Sequence, residues 1–80
     1  MTDFRLTPDP TLVRQEHPGQ IVVALADLCR SPDGPRDRQA IFGDPLTILA
    51  RVDGWCYVQL SKDGYCGFIN ETFIGAKTQP

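Results

Sequence analysis

Asp53-Gly54, set between two apolar runs, constrains this chain more than any other pair of residues. Glycine accepts positive φ without steric cost, so Asp-Gly in this setting predicts a tight β-hairpin. The run before it, Leu46 to Val52, is apolar and partly β-branched and reads as a strand. The run after it, Trp55 to Leu60, alternates: Cys56, Val58 and Leu60 fall on one face, Trp55, Tyr57 and Gln59 on the other. Ser61-Lys62-Asp63-Gly64 turns the chain again, and Tyr65 to Ile69 reads as a third strand. Asn70 to Phe73 is too short for an α-helix and suits one helical turn. Leu46 to Ile74 is therefore expected to be a three-stranded antiparallel meander closed by that turn.

The rest of the chain supplies fewer signals. Residues 1–19 read as a lead segment outside the strand pattern, with prolines at 8, 10 and 18. Within it, Asp9-Pro10 is suited to start a short helix, Asp9 as N-cap and Pro10 at the first helical position. Leu12 and Val13 would pack, and Pro18-Gly19 would end it. His17, beside that stop, reads as an exposed polar residue rather than a catalytic base. Gln20 to Leu28 is a long apolar run whose β-branched start predicts one strand, although its Ala and Leu half also suits a helix by propensity alone. Cys29 to Gln39 then reads as a polar loop, broken by Pro32, Gly34 and Pro35 and dense in charges of both signs. A short strand near Ala40, a turn at Gly43-Asp44-Pro45 and a last strand from Gly75 complete the pattern. Five or six short antiparallel strands with glycine turns predict a small all-β barrel over residues 20–80.

Length and charge narrow the function. Eighty residues make one small domain with no room for a second core. A net charge of −2, with 8 Lys and Arg scattered along the chain, offers no basic stripe for nucleic acid or anionic lipid. No apolar run approaches the roughly 20 residues that cross a bilayer. The N-terminus carries Asp3 and lacks the apolar core of a secretory signal, so a cytoplasmic location is expected. Cys29, Cys56 and Cys66 have no metal-type spacing, and His17 is the single histidine, so neither a metal site nor a cofactor is expected. A Cys56–Cys66 bridge between neighbouring strands is conceivable; in a chain without a signal, reduced thiols acting as small hydrophobes are the better reading.

Several pieces in order carry a resemblance: Arg5-Leu6-Thr7-Pro8, Ala26-Asp27-Leu28, Pro32-Asp33-Gly34, Arg36-Asp37, Gln39, Phe42-Gly43, Asp53-Gly54-Trp55 and Asp63-Gly64-Tyr65. Together with Gly67-Phe68-Ile69 before a helical turn, they resemble a bacterial SH3 (SH3b) barrel. They are similar in particular to the N-terminal SH3 domain of NlpC/P60 cell-wall cysteine peptidases, over residues 5 to about 75. The resemblance implies a papain-like catalytic domain C-terminal to this one. Such a domain cuts the γ-D-glutamyl–diaminopimelate bond of murein peptides with a cysteine at a helix N-terminus paired with histidine. None of the three cysteines here begins a predicted helix, so this chain alone is not expected to be an enzyme.

The resemblance also implies that the SH3 domain lies against its catalytic domain and helps to wall the substrate cleft. Asp33, Arg36, Asp37 and Arg38 would then meet that domain, or the charged ends of a murein peptide, through charge-assisted hydrogen bonds. Trp55 and Tyr65 would add an amphipathic contact surface. Structural roles stand beside these: Trp55 as a cap on the barrel, Tyr65 as a cross-strand partner, the charges as solubilising groups. The aromatic groove that grips proline-rich peptides in other SH3 domains is mostly lost. Ala24 to Leu28 replaces its tyrosine-rich motif, Asn70 stands where a proline is expected, and Phe73 matches the usual tyrosine as an aromatic alone. Two other functions compete, a free-standing module for a protein partner and a peptidoglycan-targeting domain.

Overall fold

The computed structural model describes residues 8, 10–32 and 34–76. Asp53 and Gly54 both take positive φ, 48° and 84°. This is the backbone of a type I′ turn, whose twist matches the strands it joins. Around it β4 (Pro45–Val52) pairs antiparallel with β5 (Trp55–Leu60). The next strand, β6 (Cys66–Asn70), starts one residue later than predicted. Tyr65 belongs to the preceding turn, where its amide donates to Asp63 Oδ1 at 3.2 Å and its carbonyl accepts from Leu60 N at 2.8 Å. The helical turn is a 3-10 turn at Glu71–Phe73, capped by Asn70, whose Oδ1 accepts from Thr72 N.

The strand predicted over Gln20–Leu28 is two strands. β1 (His17–Ile21) lies between β4 and the short β7 (Ile74–Ala76), whereas β2 (Leu25–Cys29) lies between β3 (Arg36–Ile41) and β6. The chain turns a corner at Val22–Ala24. Buried positions show why a single strand fails: Ile21 is odd-numbered, whereas Ala26 and Leu28 are even-numbered, and all three sit in one core. A regular strand cannot change the parity of its inward face. An apolar run of this length hides the corner, because every residue from Ile21 to Ala26 is apolar. Pro18 and Gly19, expected to stop a helix, lie inside β1, and residues 10–12 form a turn instead of a helix. Asp9, the expected cap, lies outside the described residues. Leu12 and Val13 do pack, though onto the outer side of the sheet.

The sheet order is β3-β2-β6-β5-β4-β1-β7, seven strands against the five or six expected, all paired antiparallel. Six of them, β1 to β6, send side chains into one inner cluster: Ile21, Ala26, Leu28, Ala40, Leu46, Ile48, Cys56, Val58, Leu60 and Ile69. The sheet is thus curled around its own inner face as a small barrel. Full burial of each large aliphatic residue in it contributes about 1.5–3 kcal/mol. A second cluster, Leu49, Ala50, Tyr57, Cys66 and Phe68, covers the outside of β4 to β6. The Tyr57 and Phe68 rings, cross-strand partners, stand 5.1 Å apart.

Closure depends on the passage of β2 over β6, where Cys29 pairs with Phe68 beside Gly67. A Cβ on Gly67 would lie 2.8 Å from the Cys29 carbonyl oxygen and 2.8 Å from Leu28 Cγ. The first of these is backbone and cannot swing away. Gly67→Ala is expected to cost about 1–3 kcal/mol, as overpacking does. Urea unfolding would show this as a lower midpoint with an unchanged slope.

Candidate functional site

The charged stretch read as one loop from Cys29 to Gln39 is mostly hairpin. Arg36, Asp37 and Arg38 lie on β3, and the turn proper is closed by Arg30 N donating to the Pro35 carbonyl and Gly34 N to the Ser31 carbonyl. Charged side chains alternate comfortably along an edge strand, where they also discourage pairing with another chain. Asp33 lies outside the described residues.

Arg38 is the best-held of the candidates. Its Nε stands 3.0 Å from Asp63 Oδ2, and its guanidinium carbon lies 4.0 Å from the centroid of the Tyr65 ring. Tyr65 itself packs against the inner cluster, so the arginine is fixed to the barrel through an aromatic face as well as a charge. Two of the sequence candidates, Arg38 and Tyr65, therefore meet. Asp63, which completes the group, reads in the sequence as a turn former and as part of the Asp63-Gly64-Tyr65 piece of the resemblance, without a sign that it meets Arg38. Asp37 is nearly buried, with Arg30 Nε 3.8 Å from its Oδ1. Arg36 reaches Asp27 at 3.9 Å, and Gln39 Nε2 donates to the same carboxylate at 3.0 Å. Together these groups make a charged ledge along β3 and the β5–β6 turn.

Trp55 is not part of that ledge. It pairs with Asn70 at the other end of β5, whereas Gln59 pairs with Cys66 near Tyr65. Four residues of strand separate the two ends, about 13 Å at ~3.3 Å per residue. Trp55 packs half-buried against the outer cluster.

The cysteines are packing groups. All three are buried free thiols. Cys56 lies in the inner cluster and Cys66 in the outer, so the bridge conceivable from sequence does not form. Burial pushes the Cys56 thiol up, against the pull of Arg51 and with a further push from Glu71. Burial likewise raises Cys66, partly offset by a hydrogen bond with Tyr57. A thiol held protonated and enclosed is a poor nucleophile. Among the described residues no group of three His, Cys, Asp or Glu side chains is placed to hold a metal ion, and no helix is long and apolar enough to cross a membrane.

With this arrangement established, comparison with known families decides the class. Residues 28–74, more than half the chain, match the model of the bacterial dipeptidyl-peptidase SH3 domain. The chain belongs to this family. It is a non-catalytic SH3b module, and the curled seven-stranded sheet is its SH3-like barrel. The match begins at Leu28 and ends at Ile74, so it spans the charged hairpin, the meander and the 3-10 turn. Searches of curated proteins and of solved structures return no match.

One more ion pair of the SH3 domain has a pH signature. Asp44 Oδ2 lies 2.9 Å from Lys62 Nζ and accepts from Ile41 N at 2.9 Å. Partial burial pushes the Asp44 carboxyl upward, but the Ile41 amide and Lys62 outweigh it and hold the value below the ordinary 3.8. The folded value lies below the unfolded one, so the contribution of Asp44 is complete above 3.8 and is lost as pH falls through the lowered folded value. Asp44→Asn is expected to cost about 0.5–1 kcal/mol near neutral pH. The gap from wild type in thermal unfolding should close as the pH is taken below 3.8. Thiol trapping gives a second test: Cys56 and Cys66 should resist iodoacetamide in the native domain and react once denaturant unfolds it. Rapid native labelling would contradict their place in the packing.

Proposed function

We propose that this SH3 domain is the N-terminal accessory domain of a cytoplasmic NlpC/P60-type cysteine endopeptidase acting on murein peptides at the γ-D-glutamyl–diaminopimelate bond. Its part is to position or restrict substrate beside a catalytic domain that follows it in the full-length chain. The observation that carries this reading is membership in a family described by its dipeptidyl-peptidase context, over the charged hairpin and meander. The chemistry of the ledge supports it. Murein peptides end in carboxylates and carry an amine, and the ledge presents both signs of charge: Arg36 and Arg38 on β3, with the Asp27 and Asp63 carboxylates beside them. Arg38, with its fork oriented by Asp63 and its plane laid on Tyr65, is preorganised for a carboxylate or for an acidic side chain of the neighbouring domain. The buried thiols leave the nucleophile to the other domain.

Reading the source gene past codon 80 is the first test. A frame that continues into a cysteine at a helix start and a later histidine supports the proposal; a stop codon at that point removes it and favours a free-standing module. In the full-length enzyme, Arg38→Glu is expected to raise KM for a γ-D-glutamyl–diaminopimelate peptide about tenfold, the effect of losing one charged contact, with kcat little changed. An unaltered KM would remove the ledge from substrate binding.

A further inference from the structure

Residues 10–15, just ahead of β1, form a segment that lies on the barrel in the manner of a bound peptide. It has no regular secondary structure beyond the turn at residues 10–12. Leu12 and Val13 are half-buried against the outer cluster of Leu49, Ala50, Tyr57 and Phe68. Beneath them Leu49, Tyr57 and Phe68 are only 4%, 5% and 7% exposed. Arg14 turns its guanidinium back to the carbonyls of Thr11 and Val13, within its own segment.

The Leu49 carbonyl anchors residues 14 and 15. The amides of Arg14 and Gln15 both donate to the Leu49 carbonyl, at 2.7 and 3.1 Å. Leu49 is the extra residue of a bulge in β4. The register with β5 pairs Ile48 with Val58 and Ala50 with Tyr57, and the register with β1 ends at Ile48. The β5 ladder therefore skips Leu49, as a bulge requires, and the β1 ladder stops one residue short of it. The same bulge sends two consecutive side chains to one side: Ile48 enters the inner cluster, while Leu49 and Ala50 both join the outer. One irregularity thus builds both halves of a binding surface, an apolar floor and an acceptor above it.

From this we infer that the outer face of β4 to β6 is a peptide-docking site, filled in cis by residues 10–15. It accepts in trans a short peptide with two adjacent aliphatic residues followed by two consecutive backbone amides that donate to Leu49. The class differs from the proline-rich ligands of other SH3 domains, because recognition runs through aliphatic side chains and N–H donors that proline lacks. The face is also separate from the ledge on β3, since it is built from the opposite side chains of β4 to β6.

Trp55, the single tryptophan and a half-buried neighbour of the outer cluster, reports on the site. The probe is a fluorescein-labelled synthetic peptide of residues 10–17, and the protein is the full chain carrying Leu12→Asp and Val13→Asp together. Carboxylates do not enter an apolar face unpaired, so the variant's segment is released. The expected results are a red shift of Trp55 emission and peptide binding about tenfold tighter than to wild type, in which the tethered segment competes at high effective concentration. A peptide N-methylated at the positions of Arg14 and Gln15 should bind about tenfold more weakly, having lost both donors. A variant with native circular dichroism that does not bind, or that binds no better than wild type, overturns the inference. If the variant does not fold, hydrogen exchange on the wild-type chain decides. The amides of Arg14 and Gln15 should exchange at least about a hundredfold faster than those of Val58 and Ile69, through local release. Exchange in step with β5 would make the segment an inseparable part of the fold and overturn the site.

Discussion

Strand β5 is buried on both faces, and much of the molecule is arranged to make that possible. Cys56, Val58 and Leu60 are fully enclosed on the inner face, while Tyr57 is enclosed on the outer. A strand in a single small sheet ordinarily keeps one face in water. Here the inner face is covered because six strands curl around it. The outer face is covered because the bulge at Leu49 delivers two apolar side chains to that side and the preceding segment lies across them. Removing either cover would expose aromatic and aliphatic surface in the middle of the sheet.

The two covers place the polar chemistry elsewhere. Charged residues concentrate on β3, a terminal strand of the sheet, and on the turns facing it, where Arg38, Asp63 and Tyr65 form one interlocked group. The reactive side-chain types, the three thiols, are consumed in packing. An SH3 module of this kind presents surfaces rather than reactivity: a charged ledge on one side and a peptide-like contact on another. Each surface depends on a local departure from regular structure, the tight β5–β6 turn for the ledge and the β4 bulge for the contact.

The parts of the fold legible in the sequence are those governed by neighbours in the chain. Asp53-Gly54 and the alternation of Trp55 to Leu60 specify the hairpin and its two faces, because turn dihedrals and side-chain parity are local properties. The corner at Val22–Ala24 is invisible, because it falls within Ile21 to Ala26, which is apolar throughout, and no turn residue marks it. Arg36 to Arg38 look like loop for the converse reason. Charge and nearby prolines suggest disorder of pattern, yet an edge strand tolerates them, with Asp27 and Asp63 as partners.

The candidate site divides in the same way. Its residue types, Arg36, Asp37, Arg38, Trp55 and Tyr65, are readable from sequence, as are the reduced thiols. Which of them meet is not. Arg38 finds Tyr65 and Asp63 only because β3 and the β5–β6 turn converge in space, across a sequence gap that no periodicity spans. Trp55 is held apart by the length of β5 itself. The chain by itself determined the two hairpins of the β4–β6 meander and their inward and outward faces, set by nearest-neighbour sterics and burial. The tertiary structure alone decided the seventh strand, the corner that splits the first apolar run, the bulge at Leu49 and the segment lying on it. Those features exist because long-range pairing must satisfy two buried faces at once, a condition imposed by residues far apart in the chain.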